Sequence, residues 1–277
     1  MTRPVCVVTG ASAGIGAATV VEIARRGYDV ALTGRSAERL EEVAERCRAA
    51  GATARTYAVD VAELDSVRDL ATQLLTDWPR IDVLVNNAAL VTQNRHLTSD
   101  GYEQVFAVNH LAPYLLTRLL QERLVESAPS RVVVVASDAY KFDQLDPDDY
   151  MSSTRWQPMK VYGRSKLCNL LFAAELQRRL DGTGVAVSTV HPGFVSTSLG
   201  RDNRIAAFAL KLIKPFIRTP EKGARTSVAL ATEPLGATGG ALFHVDGKVV
   251  ELDARATDPV MAKRLWDDSA RLVGLEP

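Results

Sequence analysis

Tyr162 and Lys166 stand four residues apart in a stretch of helical period, Val161–Leu180, so both project from one helix face. A free phenol titrates at about pH 10, too high for a base under neutral conditions. A nearby ammonium favours the phenolate and lowers that value. Such a pair can give a proton to a carbonyl oxygen or take one from an alcohol. Ser137 follows the apolar run Val132–Ala136, and its hydroxyl can hold the reacting oxygen. Asn109 interrupts the apolar pattern Val105–Leu120, where it can accept a water or fix a kink. By spacing alone, a Tyr/Lys pair four apart is commonplace and assigns nothing.

A second cluster suits phosphate. The run Thr9-Gly10-Ala11-Ser12-Ala13-Gly14-Ile15-Gly16 lies between a strand-like run and a helical pattern. Glycines there let a pyrophosphate approach the backbone, and the free N–H groups of the following helix point at it. The bland alternative is a purely structural strand–helix turn. Asp or Glu at the end of the second strand typically holds a ribose 2′-hydroxyl, whereas a nearby Arg suits a 2′-phosphate. This chain reads Thr33-Gly34-Arg35, which favours NADP(H) over NAD(H), unless Arg35 is one more surface arginine. Asp60, ending the third strand, is placed either to meet the adenine amine or to serve a turn or helix N-cap.

These residues need a scaffold, and strand-like runs alternate with helical stretches. The runs are Val5–Val8, Val30–Thr33, Ala54–Val59, Val83–Val85, Val132–Ala136, Val185–Val190 and Ala241–Val245. The helical patterns are Ile15–Arg26, Ala37–Ala50, Leu64–Trp78, Gly101–Ser127, Val161–Leu180 and Glu221–Ala231. Continuously apolar strands in alternation with helices predict an α/β, single-domain Rossmann-type, doubly wound parallel sheet of about seven strands, helices on both faces. The 277 residues, 47% hydrophobic, suffice for that core, and no repeat or linker divides them. Two long stretches, residues 138–160 and 194–220, follow strand ends on the edge where ligands bind. The second mixes apolar and basic residues and reads as a lid over an apolar substrate or, less well, as a membrane-touching helix.

The balance of 33 basic and 33 acidic residues gives no reason to expect nucleic acid. Cys6, Cys47 and Cys168 form no metal-ligand spacing, and the first apolar run is too short for an integral membrane segment. A cytoplasmic setting is expected. Of four scattered histidines, His110 could meet substrate but reads better as a locally bonded helix residue, and His191 as structural.

The whole pattern resembles the short-chain dehydrogenase/reductase family in its shorter branch. The matching residues are Thr9-Gly10-x-x-x-Gly14-Ile15-Gly16, Asp60-Val61, Asn86-Asn87-Ala88, Asn109, Ser137, Tyr162-x-x-x-Lys166 and Pro192-Gly193-x-Val195-x-Thr197. The resemblance implies that Tyr162 exchanges the proton, Ser137 orients the substrate oxygen and Lys166 binds the nicotinamide ribose while acidifying the tyrosine. It implies that Asn109 anchors a water leading from Lys166 to solvent. Asn87, Ala88, Val108, Pro192, Gly193, Val195 and Thr197 would line the cofactor groove, with Asp60 and Val61 at its adenine end. The segment from Tyr162 to Phe172, with His191-Pro192-Gly193, is similar to retinol dehydrogenases and their WW-domain and protochlorophyllide-reducing relatives, which favour NADP(H) and large apolar substrates.

Two departures stand out. Ala89 replaces the family's usual glycine after Asn-Asn-Ala, and Ala13 replaces a basic residue common in NADP-preferring members. Helices of such enzymes matching Gly101–Ser127 and Val161–Leu180 pack on a partner, so a homodimer is expected, although the insertion before Tyr162 can obstruct it. Two other activities compete with a reductase of small-molecule carbonyls: a cofactor-sensing scaffold without turnover, and an epimerase or dehydratase that retains its cofactor. The intact Asn109, Ser137, Tyr162 and Lys166 set speaks against the first, and the short C-terminal region against the second.

Overall fold

The computed structural model describes residues 3–193, 218–234 and 242–277. Val195, Thr197, nearly all of the expected 194–220 stretch and Ala241 lie outside the described residues.

Strand and helix alternate as the apolar pattern dictates. The order is β1 (Val5–Val8), α1 (Gly14–Arg25), β2 (Asp29–Gly34), α2 (Ala37–Ala49), β3 (Ala54–Ala58), α3 (Leu64–Asp77) and β4 (Val83–Asn86). Then come α4 (Gln104–Phe106), a π-helical turn (Ala107–Leu111), α5 (Ala112–Glu126), β5 (Ser130–Val135), a 3-10 turn (Asp138–Phe142), α6 (Pro158–Arg179) and β6 (Val185–His191). The described chain continues with α7 (Pro220–Thr232), β7 (Leu242–Val245), β8 (Lys248–Val250), α8 (Ala254–Thr257) and α9 (Pro259–Leu272).

The strands form one sheet in the order β3-β2-β1-β4-β5-β6-β7-β8. All neighbours from β3 to β7 are parallel, and β8 returns antiparallel on β7. Eight strands therefore replace the seven expected. The extra one follows Asp246-Gly247, both at positive φ (53° and 74°), as a two-residue hairpin turn requires. The chain reverses direction across the sheet between β3 and β4, so the crevice at the carboxyl ends of β1 and β4 is the switch point where ligands bind.

Each sheet face carries an apolar layer. On one, Val20, Ile23 and Ala24 of α1 pack with Leu40 and Val43 of α2 and Ala224 and Val228 of α7. On the other lie Leu70 and Leu74 of α3, Leu115 and Leu120 of α5, and Leu170 and Phe172 of α6.

The second layer is closed by α9, which the sequence reading did not anticipate. Ala262, Leu265, Trp266, Ser269 and Ala270 make its buried stripe at helical spacing, and Asp258 caps its start by accepting from Val260 N and Met261 N. Trp266 lies 5.1 Å from the Tyr114 ring of α5 and 6.0 Å from Phe172 of α6. The Arg118 and Arg179 guanidiniums flank it at 4.9 and 4.5 Å. Tyr102 Oη donates to Leu272 O at 2.6 Å, and His110 Nε2 pairs with Ser269 Oγ at 2.8 Å. Helix α9 thus packs on α5 and α6 through Trp266, Tyr114 and Phe172. Trp266→Ala should lower unfolding free energy by about 3 kcal/mol, the low end for a buried tryptophan because arginine stems partly fill the space. Urea denaturation of both proteins measures this; a loss under 1 kcal/mol would mean that α9 contributes little to the fold.

Candidate active site

The glycine turn is locked to the end of β4 by one threonine and one asparagine. Thr9 Oγ1 accepts from Asn87 N at 2.9 Å and Ala88 N at 3.0 Å. Asn87 Nδ2 donates back to Thr9 O at 2.8 Å and Gly10 O at 3.3 Å. The approach leaves no space for side chains. A Cβ on Gly10 would lie 2.9 Å from Ala88 Cα, and one on Gly16 would lie 2.2 Å from Gly10 O. Gly10 and Gly14 also hold positive φ, 68° and 58°.

The helix that follows begins at Ala13 with no side-chain cap and no acidic residue in its first turn. Ser12 and Ile15 are half-buried and Ala13 is exposed, so the turn forms an open cradle of backbone N–H groups. Bare glycines, an uncapped helix start and a position at the switch point together fit a dinucleotide pyrophosphate.

At the adenine end, Gly34 closes β2 and its absent Cβ would sit 3.2 Å from Ser12 Oγ. A carboxylate there would press on the glycine turn. Arg35 is exposed and makes no hydrogen bond or ion pair with any described residue. Asp60 Oδ1 accepts from Ala62 N at 3.1 Å in the turn after β3. Val61 is half-buried against the core, and Val108 is buried in the π-helical turn. Pro192 and Gly193 follow β6 at the same edge, and Gly193 (φ 81°) lies against the Arg218 guanidinium.

The chemical end lies at the carboxyl end of β5. Ser137 continues that strand in extended conformation and starts the 3-10 turn, its Oγ accepting from Ala139 N at 3.2 Å. Lys166 is fully buried; its Nζ donates to Val135 O at 2.9 Å and lies 5.6 Å from the Tyr162 ring centroid. Ser137, Tyr162 and Lys166 therefore lie together.

Burial acts on both ionisable groups of this trio. Burial raises the Tyr162 phenol above its ordinary value, and the opposing pull comes from a hydrogen bond with Ser137. Lys166 is lowered to about 7 by its own burial.

Asn109 sits in the π-helical turn, a bulge that commonly marks functional positions. Its Oδ1 accepts from Leu90 N at 2.8 Å; its Nδ2 donates to Leu90 O and to Ser165 Oγ, both at 3.0 Å. Ser165 Oγ in turn donates to Tyr162 O at 2.7 Å. The Asn109 amide is thereby committed to protein partners and supports the Tyr162 backbone through Ser165. The same clamp fixes the 88–90 turn, where Ala89 stands without positive φ. Sequence reasoning missed Ser165 and Thr9 as clamps, because short hydroxyls in helices and turns carry no signal until a partner is known.

His191 at the end of β6 accepts on Nδ1 from Asp138 N at 3.4 Å, and burial lowers its pKa. His110 is driven to about 3 by burial and sits between α5 and α9, away from any open surface. Among the described residues there is no cluster of His, Cys, Asp or Glu that could hold a metal, and no helix long and apolar enough to cross a membrane.

Residues 4–206 match the family model described as short chain dehydrogenase. The chain is 41% identical to mouse retinol dehydrogenase 14, over 97% of this chain and 85% of the relative. It is 40% identical, over 96% and 91%, to a Streptomyces sp. (strain C5) protein named as a candidate daunorubicin C-13 ketoreductase. Among solved structures, one from Mycobacterium paratuberculosis superposes with a TM-score of 0.80 at 32% identity, covering 99% of this chain and 95% of the other. A metagenomic short-chain oxidoreductase solved with NADP gives a TM-score of 0.63 at 26% identity, covering 83% and 91%.

Proposed function

This chain belongs to the short-chain dehydrogenase/reductase family, and from that premise we propose that it is an NADP(H)-dependent oxidoreductase acting on a bulky apolar ketone, aldehyde or the corresponding alcohol. The observation that carries this is the convergence of Ser137, Tyr162 and Lys166 beside a glycine cradle at the switch point.

The nicotinamide, when bound, supplies or accepts the hydride. The protein handles the proton. Ser137 holds the substrate oxygen and Tyr162 Oη protonates it on reduction, or takes the proton on oxidation. Burial holds the Tyr162 phenol above its ordinary value, which keeps it in the protonated form that donates during reduction. Lys166 Nζ has donors to spare beyond Val135 O and is placed to hold ribose hydroxyls. Val195 and Thr197 are assigned to the nicotinamide side on the motif alone.

The cofactor preference rests on Arg35, unpartnered at the end of β2, and on Gly34, which leaves no carboxylate for a 2′-hydroxyl. The NADP-bound neighbour is consistent with it. For substrate, Phe142 and Met159 are about half exposed although large and apolar. Phe142 lies against Gly163, and Met159 shares the helix face of Tyr162. Such a rim suits an extended hydrocarbon or a fused ring system, as do the names of the retinol and daunorubicin relatives.

A screen of NADPH oxidation against aryl ketones, polycyclic ketones, retinal and short aldehydes tests the proposal. Turnover should rise with apolar size, by at least tenfold from a three-carbon aldehyde to a multi-ring carbonyl. Tight NADPH binding without turnover of any carbonyl or alcohol would favour a sensing role and sink the reductase reading.

A further inference from the structure

Ser137 and Tyr162 must stand together, yet they come from different elements joined by a long irregular connection. Something has to hold the 3-10 turn that Ser137 begins against helix α6. Two residues directly after Tyr162 make that contact. At Gly163 the turn packs on bare backbone: a Cβ there would lie 2.4 Å from Ala139 O. At Arg164 the contact is ionic. Its Nε and Nη2 both donate to Asp143 Oδ2, at 3.2 and 2.9 Å. Its Nη1 donates to Asp149 O at 2.9 Å and Ser152 Oγ at 2.8 Å.

Asp143 is the residue on which the 3-10 turn ends, so the ion pair grips the turn opposite its Ser137 end. The pair is largely buried, with 13% and 17% of the side chains exposed, which sets it apart from the surface ion pairs of this chain. Surface pairs contribute little, but a buried pair deprived of one partner leaves an uncompensated charge, so releasing the turn from Arg164 is costly. The connection is also shaped around the guanidinium: Ser152, buried and at positive φ (52°), presents its hydroxyl to Arg164. From the other side, Arg255 Nη1 donates to Asp143 O at 3.3 Å and Tyr140 Oη accepts from Asp253 N at 3.4 Å. On the helix Arg164 lies between Tyr162 and Lys166 in sequence but projects from the opposite side, toward the connection and away from the proton-transfer groups.

We propose that Arg164 is a positioning residue which, through Asp143, holds the Ser137 turn at the distance from Tyr162 that the proton transfer needs. The proposal rests on the reductase reading for its kinetic consequence, whereas its structural consequence stands alone. Small displacements of a polarising hydroxyl cost large factors in rate.

Arg164→Met and the milder, isosteric Asp143→Asn are therefore expected to lower kcat for carbonyl reduction by about 30- to 100-fold. Carbonyl KM should change less than about threefold, and NADPH Kd less than about twofold. The exchanged pair, Arg164→Asp with Asp143→Arg, should recover at least about tenfold of the lost kcat. In hydrogen exchange, the amides of Ala139 and Tyr140 should lose protection in Arg164→Met while those of β5 and of α6 beyond Lys166 stay unchanged. Unaltered kcat with unaltered exchange at 139–140 overturns the proposal. So does a uniform loss of protection with kcat, KM and NADPH binding failing together, since that marks a merely structural residue. Should the unmodified enzyme turn over no carbonyl, the reductase reading fails, and the exchange result alone decides the role of Arg164.

Discussion

Tyr162→Phe is expected to cut kcat for carbonyl reduction by about a thousandfold, within the range for removing a positioned general acid. NADPH should still bind within a few fold. The substitution removes one oxygen and leaves the ring where it is. Lys166 keeps its bond to Val135 O and its place 5.6 Å from the ring centroid, because neither depends on the phenol oxygen. Ser165 still supports the backbone at position 162. Any loss is then a loss of proton delivery. Single-turnover kinetics with NADPH and the best carbonyl, set beside a fluorescence titration of NADPH, measure the two quantities separately. Equal collapse of binding and turnover would make Tyr162 a structural residue, and turnover within tenfold of wild type would move proton donation elsewhere.

Burial holds the Tyr162 phenol above its ordinary value, and this shapes the pH dependence. A donor that stays protonated at neutral pH serves reduction as it stands, whereas alcohol oxidation needs the phenolate and should strengthen as pH rises. Two residues four apart place an ammonium near a phenol and say nothing of how deeply both are buried. Burial is a property of the packed α6 face, where Lys166 contacts the end of β5 and loses its hydration. The site's members were therefore legible as residue types at helical and strand-end positions, while their charge states were not.

A similar division runs through the fold. Strands β1, β4 and β5 announce themselves as short apolar runs covered on both faces, whereas the edge strand β3 alternates buried and exposed residues. Strand β8 has all three residues exposed, so no burial pattern marks it, and only the Asp246-Gly247 turn hints at the hairpin. Helix α9 does carry a clear stripe, from Ala262 through Leu265 and Trp266 to Ser269 and Ala270, which the alternation of strand and helix gave no reason to look for. Its consequence, a covered α5–α6 face, depends on where the C-terminus returns in three dimensions. Arg164 was hidden for a related reason: inside a Tyr-x-x-x-Lys motif its partner, Asp143, belongs to a connection whose path no periodicity describes.

Arg35→Asp should invert the cofactor preference by a larger margin than Arg35→Ala. Arg35 is exposed and free of protein partners, so its guanidinium is available to a 2′-phosphate as a planar fork. A charge-assisted contact of this kind is worth about 1.5 to 3 kcal/mol, and replacing it with a like charge adds repulsion of similar size. Together these weaken NADPH by about a thousandfold, at about 1.4 kcal/mol per factor of ten. Arg35→Ala removes only the attraction and should cost NADPH about 10- to 100-fold. NADH has no phosphate to lose, so its Kd should change less than about threefold in the alanine variant and tighten up to about tenfold in the aspartate variant. The gain is bounded because the carboxylate would sit at position 35; position 34, nearer the ribose in NAD-binding relatives of this fold, has Ser12 Oγ 3.2 Å from where its Cβ would stand. Parallel titrations of both nucleotides against the three proteins give the ratio directly. If NADPH and NADH weaken alike, the ribose does not face Arg35, and Arg39, one turn further along α2 and likewise exposed, becomes the residue to examine.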